Sequence, residues 1–294
     1  MGLAAGDEIV TTRDIYRAAG NQLARLADAV GARISSVAIP APFDPDALVA
    51  AVASAITPRT KLALFDHITS ATALVFPLAR MLAPYAARAI PVIVDGAHAP
   101  GQIDLDVGNL LASGATWYTG NHHKWMCAPK ASGFLAVAPS AVPHTLPLVT
   151  SHGATPSYGP PNRLHAEHDW PGTTDPSALL AVPHAIDDVA AAGGGWPAVR
   201  ARNHALALAM RDRLGGAPLA PTDAVGCMIT ASITLPAGVA PLTMERRLLA
   251  AGWELHIIDR ASGPFIRVCA HLYNHLDQID DLRRALHDHG VEIR

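Results

Sequence analysis

Two short apolar runs, residues 61–66 (KLALFD) and 90–94 (IPVIV), lie on either side of a stretch with helical spacing over 76–89. A run of four or five apolar residues without polar alternation suits a strand covered on both faces, not one with a wet side. Strand, helix, strand in that order reads as parallel pairing through a right-handed crossover. This one feature excludes sandwiches, barrels of hairpins and helical bundles for the first part of the chain.

The flanking segments extend the same pattern. Residues 6–12 read as a strand and 14–30 as an amphipathic helix. Residues 33–39 read as a strand, and Asp44 is placed to cap a helix running to 56. Residues 116–119 and 133–137 supply two further strands. The expectation is an α/β fold, a mostly parallel sheet flanked by helices, with ligands bound at the carboxyl ends of the strands. After Asp175 the texture changes. Helical patterns at 177–192 and 196–214 are split by Gly193, Gly194 and Gly195, with no preceding strand to make them a phosphate loop. A strand at 226–235, a helix at 242–251, strands at 253–259 and 265–269 and a terminal helix follow. The expected division is a large domain, 1–192, and a smaller C-terminal α+β domain, 193–294.

Composition narrows the function classes. The chain has 294 residues, 50% hydrophobic and 16% charged, with a net charge of −3, and no Lys/Arg block to grip a nucleic-acid backbone. No stretch reaches the roughly 18 apolar residues of a membrane span. The first residues lack the basic and apolar regions of a signal peptide. Three cysteines, Cys127, Cys227 and Cys269, are too scattered for a disulfide framework or a thiolate zinc site. The reading is a soluble cytoplasmic protein with neither nucleic acid nor membrane as partner, and no metal is expected.

Chemistry concentrates where strands end. The segment from Val92 to Gly101 (VIVDGAHAPG) closes an apolar strand with Asp95 and places His98 three residues later. The segment from Trp117 to Trp125 (WYTGNHHKW) does the same with Asn121, His122, His123 and Lys124. Only three lysines exist, Lys61, Lys124 and Lys130. Lys124, beside Trp125 and a strand, is the one expected to be part-buried, with a lowered pKa and the reactivity of a Schiff-base amine. Taken singly, Asp95 could cap a turn and Lys124 could be an ordinary surface lysine. On an extended backbone His122 would point away from His123.

These two segments together resemble the class V aminotransferase family, its isopenicillin N epimerase-like branch in particular. The resemblance continues, in order, through Asp66-His67-Ile68-Thr69-Ser70, Trp170-Pro171-Gly172-Thr173-Thr174-Asp175 and Arg267-Val268-Cys269-Ala270-His271-Leu272-Tyr273-Asn274. It implies the pyridoxal 5′-phosphate (PLP) transferase fold, type I, and a homodimer acting on an amino-acid-like substrate. It implies that Lys124 carries the cofactor and then moves the proton at the substrate Cα, and that Asp95 pairs with the pyridinium nitrogen. By the same resemblance His98 lies near the cofactor's 3′ oxygen. Asn121 and His123 contact its phosphate, and Thr173 reaches the phosphate of a neighbouring subunit. Ser70 belongs to the cofactor-binding set, Tyr16 supplies the ring-stacking group, and Arg267 clamps the substrate carboxylate. The chain has Ala71 and Ala73 where the family has Pro and Gly, and Asp14-Ile15-Tyr16 for its His-Glu-Tyr. The family's preceding segment, with a phosphate-cradling loop, is expected to be missing, which weakens cofactor binding.

The implied activity is epimerisation, racemisation or transamination at Cα. Three alternatives stand beside it. Cysteine desulfuration or C–S lysis is one, with desulfuration needing a mobile thiol. A truncated, non-catalytic family member is another. The third is a metal site built from His67, Asp95, His98 and His123.

Overall fold

A computed structural model describes residues 2–155, 162–260 and 263–294. The strands are β1 (Glu8–Thr12), β2 (Arg33–Val37), β3 (Thr60–Asp66), β4 (Val92–Asp95), β5 (Trp117–Asn121), β6 (Gly133–Val137), β7 (Met228–Thr234), β8 (His256–Ile258), β9 (Phe265–Cys269) and β10 (Glu292–Ile293). The α-helices are α1 (Arg17–Val30), α2 (Pro45–Ser54), α3 (Leu78–Ala86), α4 (Val107–Ala112), α5 (Arg163–His168), α6 (Ser177–Leu180), α7 (Val182–Gly193), α8 (Trp196–Leu214), α9 (Pro241–Ala250) and α10 (Gln278–Asp288).

The first six strands form one sheet in the order β2-β1-β3-β4-β5-β6. All pairs are parallel except β5 with β6. Successive residues of these strands point to opposite faces, which is why both faces must be covered. Val10, Phe65, Val94 and Tyr118 pack under α2 and α3 against Leu48, Val52, Met81, Leu82 and Tyr85. Ile9, Leu62 and Leu64 pack on the other face with Leu23 of α1. The apolar runs therefore mark buried parallel strands, as their composition requires. Asp44 caps α2 as its position predicts, accepting from the N–H groups of Asp46 and Ala47 at 2.9 and 3.1 Å.

The last four strands form a second, antiparallel sheet in the order β10-β7-β9-β8. One face buries Ile229, Ala231, Ile233 and Ile266 against α8, α9 and α10. A smaller cluster of Ile68, Ala73, Ala99, Trp125, Cys227 and Met228 joins the two sheets just below the strand ends that carry the polar residues. Ala73 sits there at φ +58°, in the left-handed region, which is the physical reason a glycine suits that position.

Three short elements escape the sequence reading: α4, α5 and β10. Each is six residues or fewer, too short for a period to register. Gly194 ends α7 at φ +77°, so the triple glycine breaks helices, as expected. Among the described residues no helix is long and apolar enough to cross a membrane.

Candidate active site

The carboxyl ends of β1, β3, β4 and β5 lie side by side, and each is followed by residues the sequence singled out. Tyr16 follows β1, the segment from Asp66 to Ser70 closes β3, Asp95 and His98 close β4, and Asn121, His123 and Lys124 close β5. Four segments far apart in sequence thus share one rim.

Lys124 is half-buried at the centre. Its Nζ lies 3.2 Å from His98 Nε2 and 5.9 Å from the centroid of the Tyr16 ring. Burial lowers the Lys124 pKa. Asp95 and Asp66 oppose that shift and Arg267 adds to it. Burial, then the cations of Lys124 and Arg267, push the His98 pKa down to about 3, so its ring is neutral at ordinary pH. An ammonium can only donate, so His98 Nε2 accepts from Lys124 and the ring proton sits on Nδ1. That Nδ1 is buried and has no partner among the described residues.

Asp66 and Asp95 are register partners on β3 and β4. Asp66 is 2% exposed, and its Oδ2 is buried with no partner among the described residues. Burial, reinforced by the Asp95 charge, raises its pKa to about 8. Asp95 is less buried, and its Oδ1 accepts from the Ala97 N–H at 2.9 Å, fixing the turn that presents His98. Below that turn, Gly96 lies so close to Tyr118 that a Cβ would fall 2.2 Å from the ring. The Tyr118 hydroxyl in turn bonds His67 Nδ1 at 2.9 Å. Burial holds His67 near a pKa of about 4.

The second sheet contributes Arg267. Its Nη1 donates to the Ser70 carbonyl and lies 3.4 Å from the Ser70 hydroxyl, while its Nε is buried without a partner among the described residues. Two residues 197 apart in sequence are thus in contact.

Other expected residues are placed less centrally. Residues 122–126 turn instead of extending, which corrects the extended backbone assumed for His122 and His123. The His122 ring packs on Phe134 at 5.4 Å, and His123 Nδ1 bonds the Ser132 carbonyl at 2.9 Å. Asn121 pairs with Gly133 at the end of the β5–β6 ladder. Thr173 is exposed beyond Gly172, and its side chain bonds nothing among the described residues. Residues 156–161, within the Pro-, Ser- and Gly-rich stretch 147–163, lie outside the described residues. Among the described residues no three His, Cys, Asp or Glu side chains form a metal-binding group. His67, His98 and His123 instead turn a ring nitrogen to Tyr118, Lys124 and Ser132 respectively.

Sequence reasoning missed three participants. Asp66 closes an apolar strand just as Asp95 does, and that shared pattern was the available signal. Gln102, 2% exposed, donates to the His98 carbonyl at 2.8 Å and accepts from the Cys227 N–H at 2.7 Å, tying the His98 turn to the second sheet. The Asp14–Arg260 ion pair joins the loop after β1 to the loop after β8. Neither of these two has a local sequence signature.

An amine, a strand-end carboxylate and an orphaned buried donor on His98 make a donor set that fits a pyridine aldehyde bearing an oxygen beside the aldehyde. Residues 1–224 match the family model described as aminotransferase class V. The chain belongs to the class V aminotransferase family. Family membership supports pyridoxal 5′-phosphate as the cofactor, as the resemblance implied. This family member is 34% identical to an isopenicillin N epimerase of Streptomyces clavuligerus over 97% of its own length and 75% of that protein's. It is also 34% identical to a putative L-cysteine desulfhydrase 1 of Oryza sativa subsp. japonica, over 72% of the chain and 44% of that protein. Its fold matches a cystine C–S lyase solved with its product cysteine persulfide, with TM-score 0.78 and 19% identity, covering 98% of this chain and 77% of the other.

Proposed function

We propose that this chain holds pyridoxal 5′-phosphate on Lys124 and acts at the Cα of an amino-acid-like substrate, as an epimerase or racemase or as an aminotransferase. The observation that carries this reading is the half-buried Lys124 amine against neutral His98, beside the Asp95 strand end, with Arg267 brought in from the second sheet. In this reading residues 1–192 supply the cofactor groups and 193–294 supply Arg267.

When bound, the cofactor supplies an electron sink for the pair left as a proton leaves Cα. The residues do the rest. Asp95 pairs with the ring nitrogen, and Asp66, keeping its proton, adds no second charge beside it. His98 Nδ1–H donates to the ring oxygen. Asn121, His123 and, from a second copy, Thr173 take the phosphate. Lys124 Nζ moves the Cα proton, and its lowered pKa places some of it in the free-amine form that can accept one. Arg267 holds the substrate carboxylate with charge-assisted bonds. A homodimer is supported by the apolar side chains exposed along one segment: Leu146, Leu148, Val149, Trp170, Leu179 and Leu180.

Carbon–sulfur cleavage is the second reading, favoured by the identity to the putative desulfhydrase. Desulfuration through a persulfide has less support. Cys227 is buried and bonded to the Gln102 carbonyl, and burial raises the Cys127 pKa.

The test is an absorbance spectrum with added PLP, borohydride reduction and peptide mapping, followed by chiral analysis and sulfide assay of amino acids. The label is expected on Lys124, with inversion or amino-group transfer exceeding sulfide release. A folded protein with no label on Lys124 would overturn the reading. Dominant sulfide release from cysteine would move it to the second.

A further inference from the structure

The His98 ring has no fixed anchor of its own. Its Nδ1 is buried and unpartnered among the described residues, and its Nε2 bonds only Lys124, whose amine ends a flexible stem. The place of the ring is therefore decided by the backbone beneath it. Gln102, four residues on, holds that backbone: its Nε2 donates to the His98 carbonyl at 2.8 Å.

Gln102 is in turn held by the second sheet. Its Oε1 accepts from the Cys227 N–H at 2.7 Å, and its own carbonyl accepts from the Cys227 thiol at 3.4 Å. Cys227 immediately precedes β7, and its carbonyl accepts from the Ala270 N–H at 2.8 Å, just beyond β9. On those two strands Thr230 is the register partner of Arg267. A chain of bonds thus runs from the Arg267 strands through one amide to the His98–Lys124 contact. The amide cannot be turned over, because the other assignment sets oxygen against oxygen at His98 and N–H against N–H at Cys227. Nor can it move aside. It is 2% exposed and fills the space beside Gly226, where a Cβ would fall 2.3 Å from Oε1.

Resting on the function proposed above, we infer that Gln102 is a positioning residue of the reaction, carrying the docking of the second sheet through to the His98 ring. His98 accepts from Lys124 and offers Nδ1–H to the cofactor oxygen only while the Arg267 strands are in place. The substrate half and the cofactor half of the site are set by one amide. Which ring nitrogen of a histidine carries the proton follows from the bond that the other makes, so a shifted His98 backbone reads out as a mixture of tautomers.

The test reads the His98 ring by nitrogen NMR of the cofactor-free protein, its signals assigned by their loss in His98→Gln. The native protein is expected to show the proton on Nδ1 alone. Gln102→Met, which fills the same space but makes neither side-chain bond, should show both tautomers. With PLP bound, its cofactor absorbance should titrate about half a pH unit higher or more, because a donor at the ring oxygen favours the deprotonated form. Gly226→Ala displaces the amide without removing it and should move both readouts the same way, so it serves where Gln102→Met does not fold. Thr60→Val removes a bond to Glu8 at the far end of β3 and should lower stability with neither readout changed. In whichever of the first two variants folds, a native tautomer and midpoint would overturn the inference, as would equal shifts in Thr60→Val. A native protein without a cofactor band would overturn the proposed function, and the tautomer comparison would still decide whether Gln102 positions His98.

Discussion

Asp66 and Asp95 stand in direct register at the carboxyl ends of adjacent parallel strands, two carboxylates on the same rim of the sheet. Burial and the neighbouring charge together disfavour ionising Asp66, which is why its pKa is raised to about 8. A group protonated in the fold but ionised in the unfolded chain binds more protons when folded.

Stability from Asp66 is therefore fully present below about pH 4 and is lost as pH rises toward 8. His67 and His98, held near about 4 and about 3, act in the opposite sense below the ordinary histidine range. The native slope is a sum of the two. Asp66→Asn removes only the first contribution, so its stability relative to native should rise steadily from pH 5 to pH 8. Denaturant titrations of both proteins at four pH values check this, and parallel curves would contradict it.

Gly96→Ala should lower stability by about 2–3 kcal/mol, because the added Cβ meets a fully buried Tyr118 ring that cannot retreat without breaking its bond to His67. Cofactor capture should fall as well, since the same turn presents Asp95 and His98. Thermal melting and PLP absorbance measure the two effects separately.

Arg267→Ala should weaken amino-acid binding at least tenfold while leaving cofactor attachment to Lys124 intact. The residue touches Ser70, not the Lys124 amine directly. Loss of the cofactor band in this variant would reassign Arg267 to cofactor binding.

Gln102→Ala strands a part-buried carbonyl at His98 and a buried N–H at Cys227. A cost of about 2–3 kcal/mol is expected, read as a shift in the denaturant midpoint. If Gln102→Glu keeps the bond from Cys227 but loses the one to His98, the difference between the two variants separates these contacts.

Much of the site was legible because its residues sit at strand ends. Asp95 and Lys124 follow buried apolar runs, and that local pattern, together with the family blocks, marked both. Tyr16 was a loose match by sequence, yet its ring stands over Lys124. Asp66 ends a strand in the same manner and went unassigned, because nothing local separates a carboxylate that keeps its proton from one that does not. The turn at 122–126 was read as extended because a short histidine-rich segment has no period to betray its bend.

The sequence alone determined the parallel sheet, the change of architecture after Asp175 and the residues delivered to the rim. These follow from side-chain periodicity and from what each strand must bury, which are local properties. Only the tertiary structure placed Arg267 on Ser70, joined Asp14 to Arg260 across 246 residues and made Asp66 a buried acid beside Asp95. Those outcomes depend on which segments become neighbours and how much water is left between them, and neither quantity is written in any one stretch of chain.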